Sequence, residues 1–220
     1  MQRWPAREDV AWIAVVVLWR AGKQAELIVF LDRLPVLTDR ATATPELHRM
    51  NNALGNIDLR EMRELVRCFA GDKGAEARKA LEGRLALTLD PLVRPVYLAA
   101  LAQNVLWGEA DEDLTTEACA RAREAASLTP WSAISQLALA LCHLRERADI
   151  GAARDALGAM RRREFDLREP EDGLLDAMIL AVEGKLDAAR AARRDAERGG
   201  AMPNLVRRVD AEIERRAAAG

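Results

Sequence analysis

Apolar residues recur along this chain every three to four positions, in stretches of helix length punctuated by glycine and proline. Ile134, Leu137, Leu141 and Leu144 form one such stripe, spaced as the buried face of an amphipathic helix. The segments between breakers predict helices over 5–21, 23–34, 45–54, 58–70, 75–87, 91–107, 115–128, 130–147, 150–163, 171–183, 186–198 and 203–217. Thr44-Pro45, Asp90-Pro91 and Thr129-Pro130 each read as a capping side chain followed by a proline at the first helical position, where its missing N–H costs nothing. Asp58 and Glu61 have capping-box spacing. Gly22, Gly55, Gly71, Gly108, Gly184 and Gly199 read as stops. Thr38–Thr44 reads as a loop and Glu109–Asp113 as an acidic turn. With no convincing strand partners elsewhere, even the β-branched Val15-Val16-Val17 is assigned to helix. The pattern predicts an all-α fold of stacked antiparallel helical hairpins.

A repeat lies within this pattern. Ala118, Ala122 and Ala125 recur 34 residues later as Ala152, Ala156 and Ala159, and GAARDAL at 151–157 returns 36 residues on as DAARAAR at 187–193. A longer apolar helix precedes each alanine-rich one. Small side chains let helix axes approach, and Leu157 and Met160 fill the remaining space. Gly184-Lys185-Leu186 stands before Ala188-Ala189, and Leu128-Thr129-Pro130 opens the next unit. On these residues, positions 91–198 resemble the tetratricopeptide-repeat (TPR) family. The first unit departs from the family pattern in carrying extra residues after Gly108. The resemblance implies a right-handed α-solenoid whose inner groove binds a peptide or helix of another protein. Residues 1–90 then form N-terminal helical hairpins and 199–220 a polar capping helix.

Composition fits such a molecule. Of 220 residues, 50% are hydrophobic and only 4% aromatic, which suits Leu/Ala/Val helix packing. A formal charge of −2 gives no overall pull toward nucleic acid or anionic lipid. Arg161-Arg162-Arg163 and the tail arginines Arg190, Arg193, Arg194, Arg198, Arg207 and Arg208 are basic, but acids are interspersed among the tail set. The apolar run Val10–Trp19 is too short for a membrane span, which needs roughly 20 residues, and lacks the basic flank of a secretory signal. A cytoplasmic location is expected.

Candidate chemistry is sparse. Cys68, Cys119 and Cys142 lack metal or disulfide spacing and read as small buried hydrophobes. His48 and His143 have no metal-ligand partners in sequence; a Cys119–His143 dyad is the one catalytic arrangement worth testing. Gly71-Asp72-Lys73-Gly74 lacks the remaining positions of a phosphate loop, and the acidic turn lacks those of a calcium loop. No catalytic residue, metal site or cofactor is assigned.

The repeats' first helices are apolar on more than one face: Leu98, Val105 and Leu106, then Leu137, Leu139 and Leu141, then Leu174, Met178 and Val182. Apolar surface beyond one packing face predicts a covered groove. Leu98, Leu137, Leu141, Leu174 and Met178 are its expected partner-binding residues. Trp12 and Trp19, seven apart on one helix face, are expected to add to the interface, while Trp4, Trp107 and Trp131 fall at helix ends. The expectation is a non-catalytic scaffold, adaptor or chaperone. Its partner is another protein's helix or peptide, with neither membrane nor nucleic acid expected and homo-oligomerisation left open. The alternative is a regulator that adds nucleic-acid contact through the arginines.

Overall fold

A computed structural model of the protein describes Ala11, Ala14, Val15, Val17, Leu18, and residues 23–33, 59–70, 74–88, 90–91, 93–108, 112–161 and 170–219. These residues are helical or lie in turns, and no strand occurs among them. The helices are α1 Gln24–Arg33, α2 Leu59–Ala70, α3 Gly74–Leu87, α4 Arg94–Leu106, α5 Glu112–Leu128, α6 Ala133–Arg147, α7 Ile150–Arg161, α8 Pro170–Val182, α9 Leu186–Arg198 and α10 Pro203–Ala219. Val15 and Val17 are helical too, despite their β-branching. The expected helix 45–54 and the caps at Thr44 and Asp58 lie outside the described residues.

Three helix starts differ from expectation, for physical reasons. Helix α4 begins at Arg94, because Pro95 is admissible only in a first turn. A start at Pro91 would have placed Pro95 where its N–H is needed. Thr129 does not cap Pro130. Its hydroxyl donates to the Ala125 carbonyl at 3.1 Å and pairs with Ser135 Oγ at 2.9 Å, so it ends α5, and α6 begins at Ala133. Helix α5 begins at Glu112 rather than 115, with Glu112 and Asp113 of the expected acidic turn in its first turn, where carboxylates favour the helix dipole; residues 109–111 lie outside the described residues.

The hairpin turns share one device. Lys185 N–H bonds Leu180 O and Ala201 N–H bonds Ala196 O, each closing a six-residue cap, and Asp149 N–H bonds His143 O in a cap one residue longer. The residue at the bend has positive φ in all three cases. Gly184 (76°) and Gly200 (96°) meet this without strain, whereas Ala148 holds a left-handed φ of 47°. Asp149 then caps α7 by accepting the Ala152 N–H at 3.0 Å.

Packing follows a regular order. The helices pair as α2/α3, α4/α5, α6/α7 and α8/α9. The first helix of each pair also touches the first helix of the next pair, and each second helix touches the first helix that follows it. Helices α4, α6 and α8 therefore have four helix neighbours each, and α10 packs on α8 and α9. Alanines make the close approaches: Ala118, Ala122 and Ala125 on α5, Ala153 and Ala156 on α7, and Ala189 and Ala196 on α9 are buried. Gly173 on α8 faces Ala196, and a Cβ there would stand 3.0 Å from the alanine methyl. No described helix is long and apolar enough to cross a membrane.

Candidate functional site

The five residues expected to line a groove are all core. Leu98, Leu137, Leu141, Leu174 and Met178 belong to one hydrophobic cluster, the most exposed of them being Leu137 at 6%. Val105, Leu139 and Val182 are half-buried against the same cluster. The neighbour pattern explains this. A helix with four helical neighbours is apolar nearly all round, so the surplus of apolar residues is consumed by packing rather than left for a ligand. Helix α4 is the extreme case, buried continuously from Pro95 to Gln103. Trp12 and Trp19, together with Trp4 and His48, lie outside the described residues.

Among the described residues, exposed large hydrophobics include Val17 and Val29 within helices, and the remainder sit at the turns between pairs. Leu128 and Trp131 flank the exposed Pro130 where α5 passes to α6, and Trp131 is 59% exposed. Leu87, 83% exposed, ends α3 at the preceding turn of the same kind. Trp107 stands at the C-terminal end of α4, as expected, and is buried.

The cysteines are buried and reduced. Cys119 hydrogen-bonds Cys142 across the α5–α6 contact, so its partner is a second thiol and not the half-buried His143. That hydrogen bond and burial push the Cys119 thiol far above the ordinary range. Cys68 donates to Ala100 O at 3.6 Å, and burial raises it to about 12. Thiols held this firmly protonated are poor nucleophiles. Among the described residues, no three His, Cys, Asp or Glu side chains converge as metal ligands.

The arginines are largely engaged. Arg161 pairs with Asp176, Arg193 with Glu197 and Asp210, Arg198 with Asp195, and Arg190 with Asp187 and Glu214 at 3.5 Å. Arg194 and Arg207 are exposed. Arg162 and Arg163 fall outside the described residues.

One ionic cluster was not anticipated. Glu212 of α10 is 4% exposed, and Arg145 of α6 donates to it at 3.1 Å. Arg215 Nη2 lies 2.6 and 2.8 Å from its two oxygens, and Arg216 Nε at 3.0 Å. Arg145 also donates to the Leu106 and Trp107 carbonyls at 2.9 and 3.4 Å, and Arg208 to Asn104 O at 3.2 Å. The free carbonyls ending α4 are thus capped by arginines from α6 and α10. Burial alone would raise the Glu212 carboxyl. The bonds from Arg215 and Arg216 and the charge of Arg145 outweigh it and hold the group down at about 2. Burial, and then the neighbouring Arg145 charge, lower Arg208. The sequence signal was an acid continuing the Leu205–Val209 apolar stripe of α10.

Comparison with family models, with curated proteins and with solved structures returns no match to this chain.

Proposed function

We propose that the chain is a non-catalytic, TPR-like right-handed helical-repeat scaffold that binds another protein's helix or peptide. The observation that carries this reading is the packing order, in which every pair touches the next through its first helix and through the preceding second helix. Repeating contacts of this kind build an extended framework whose turns and edges are free to present side chains. Buried alanines on each of α5, α7 and α9 support the same reading: Ala122 and its counterpart 34 residues on, Ala156, are both buried, as are Ala153 and its counterpart 36 residues on, Ala189.

The contact point is the α5–α6 turn rather than the faces of α4, α6 and α8. An exposed tryptophan beside an exposed leucine and proline is the composition of an interface anchor. The engagement of Arg161, Arg190, Arg193 and Arg198 by carboxylates weighs against the nucleic-acid alternative, which needs a stripe of one sign. The protonated, buried thiols weigh against nucleophilic catalysis.

The test is photocrosslinking in living cells with benzoylphenylalanine at position 131. Discrete protein adducts that Leu128→Arg abolishes, at an unchanged melting temperature, support the scaffold. Absence of adducts, or adducts that nuclease removes, overturns it.

A further inference from the structure

Cys119 and Cys142 stand out because two free thiols meet across a helix–helix contact. Both are fully buried, on α5 and α6, and they hydrogen-bond to each other. Helices α5 and α6 belong to successive pairs, so the thiols meet at a junction between pairs. Residue 122 of α5 and residue 138 of α6 are buried alanines, and small side chains allow close approach of the two backbones. Cys68 is elsewhere, on α2, with its thiol directed at the Ala100 carbonyl of α4.

Arg123 and Glu146 form an ion pair between the same two helices, which run in opposite directions. Arg123 stands four residues after Cys119, and Glu146 four after Cys142, so the ion pair lies over the thiols. Its side chains are 46% and 26% exposed, and exposed ion pairs are weak and open readily. Both charges act on Cys119, Arg123 favouring its thiolate and Glu146 opposing it.

We infer that Cys119 and Cys142 are a modification site, at which a hydroperoxide-class oxidant closes a disulfide between α5 and α6 while Cys68 stays a thiol. The balance is simple. One cysteine, as its thiolate, attacks a peroxide oxygen, breaking the O–O bond and giving a sulfenic acid and hydroxide, which takes up the proton released on ionisation. The second sulfur attacks the first and water leaves, so two thiols and one hydrogen peroxide give one disulfide and two waters. The product is neutral and suits the buried site, which disfavours a thiolate. The transient thiolate is reached when the Arg123–Glu146 cover opens. Hydrogen peroxide is little larger than water, which suits a pair of thiols with no exposed surface. Selectivity over Cys68 follows from proximity, since Cys119 and Cys142 alone have a second thiol in contact.

The experiment treats the folded full-length chain with hydrogen peroxide, followed by denaturation, alkylation of remaining thiols and mass analysis. The expected product has lost two hydrogens and retains one alkylatable cysteine, which peptide mapping places at Cys68. The bridge joins the peptides bearing Cys119 and Cys142. The melting temperature rises by several degrees and returns on reduction with dithiothreitol. Glu146→Gln, which breaks the cover and removes the charge opposing the thiolate, speeds closure several-fold. Cys142→Ala forms no intrachain bridge. Three alkylatable cysteines after methionines have oxidised would overturn the proposal. So would bridges that include Cys68 at statistical frequency, or closure no faster than global unfolding.

Discussion

Glu212→Gln probes the fold at its most heavily charged buried point. The wild-type carboxylate is met by three guanidinium groups, of which Arg145 is only 16% exposed and depends on it for charge compensation. Holding a carboxyl at about 2 rather than 4.5 contributes about 3 kcal/mol to the folded state at neutral pH. Because the folded value is depressed, the contribution is complete above the unfolded value near 4.5 and is lost as pH falls through about 2. About half is gone at pH 3. Breaking a buried ion pair by removing one partner costs a similar amount, about 3–5 kcal/mol. In a domain of this length, 3 kcal/mol corresponds to roughly 6–12 °C of melting temperature. The assay is urea unfolding of both proteins at pH 7 and pH 3. Wild type should lose part of its advantage over the variant at pH 3. Hydrogen exchange should also show α10 and the end of α4 opening more readily in the variant, because Arg145 ties them together. A neutral-pH cost below about 1 kcal/mol, the value of an exposed pair, would refute the reasoning. An equal acid sensitivity in both proteins would refute it too.

Three further outcomes are expected. Ala148→Gly should raise stability by about 0.5–1 kcal/mol, since a left-handed alanine costs more than the added chain entropy of glycine; thermal melting checks the sign. Gly173→Val should cost about 1–3 kcal/mol by forcing α8 from Ala196, read as a lower urea midpoint with α8 and α9 amides deprotected. Leu137→Glu and Met178→Glu should each abolish cooperative melting, because a carboxylate would enter the core; folded variants that merely lose a ligand would instead restore the groove at these helices.

Local signals read well in the sequence, and long-range ones did not. Helix α9 has the expected bounds because Gly184 forces the bend before it and a run of strong helix formers follows. The start of α4 was misassigned because Asp90-Pro91 is a persuasive local signal, yet Pro95 overrules it. The apolar positions of α4, α6 and α8 were identified, but their role was not. Periodicity counts faces on one helix and carries no information on how many neighbours surround it, so core residues looked like surplus surface. The meeting of Cys119 with Cys142, like that of Arg145 with Glu212, depends on how helices stack and left no mark in spacing.

The arginine links at the end of α4 change how the chain can fold. Neighbour-to-neighbour helix packing alone would let the molecule assemble and unravel from either end, pair by pair, with modest contact order. Arg208 joins residues 104 positions apart, and the Arg145–Glu212 pair spans 67. These ties bring the last helix back onto the end of the first hairpin helix they reach, bypassing the pairs between. Fraying of α10 then removes the Arg208 cap from α4 and strips Arg145 of its counter-ion in the same event. The segment from α4 to α10 is therefore expected to melt as one cooperative unit, with the C-terminal helix among its last parts to gain native protection during refolding.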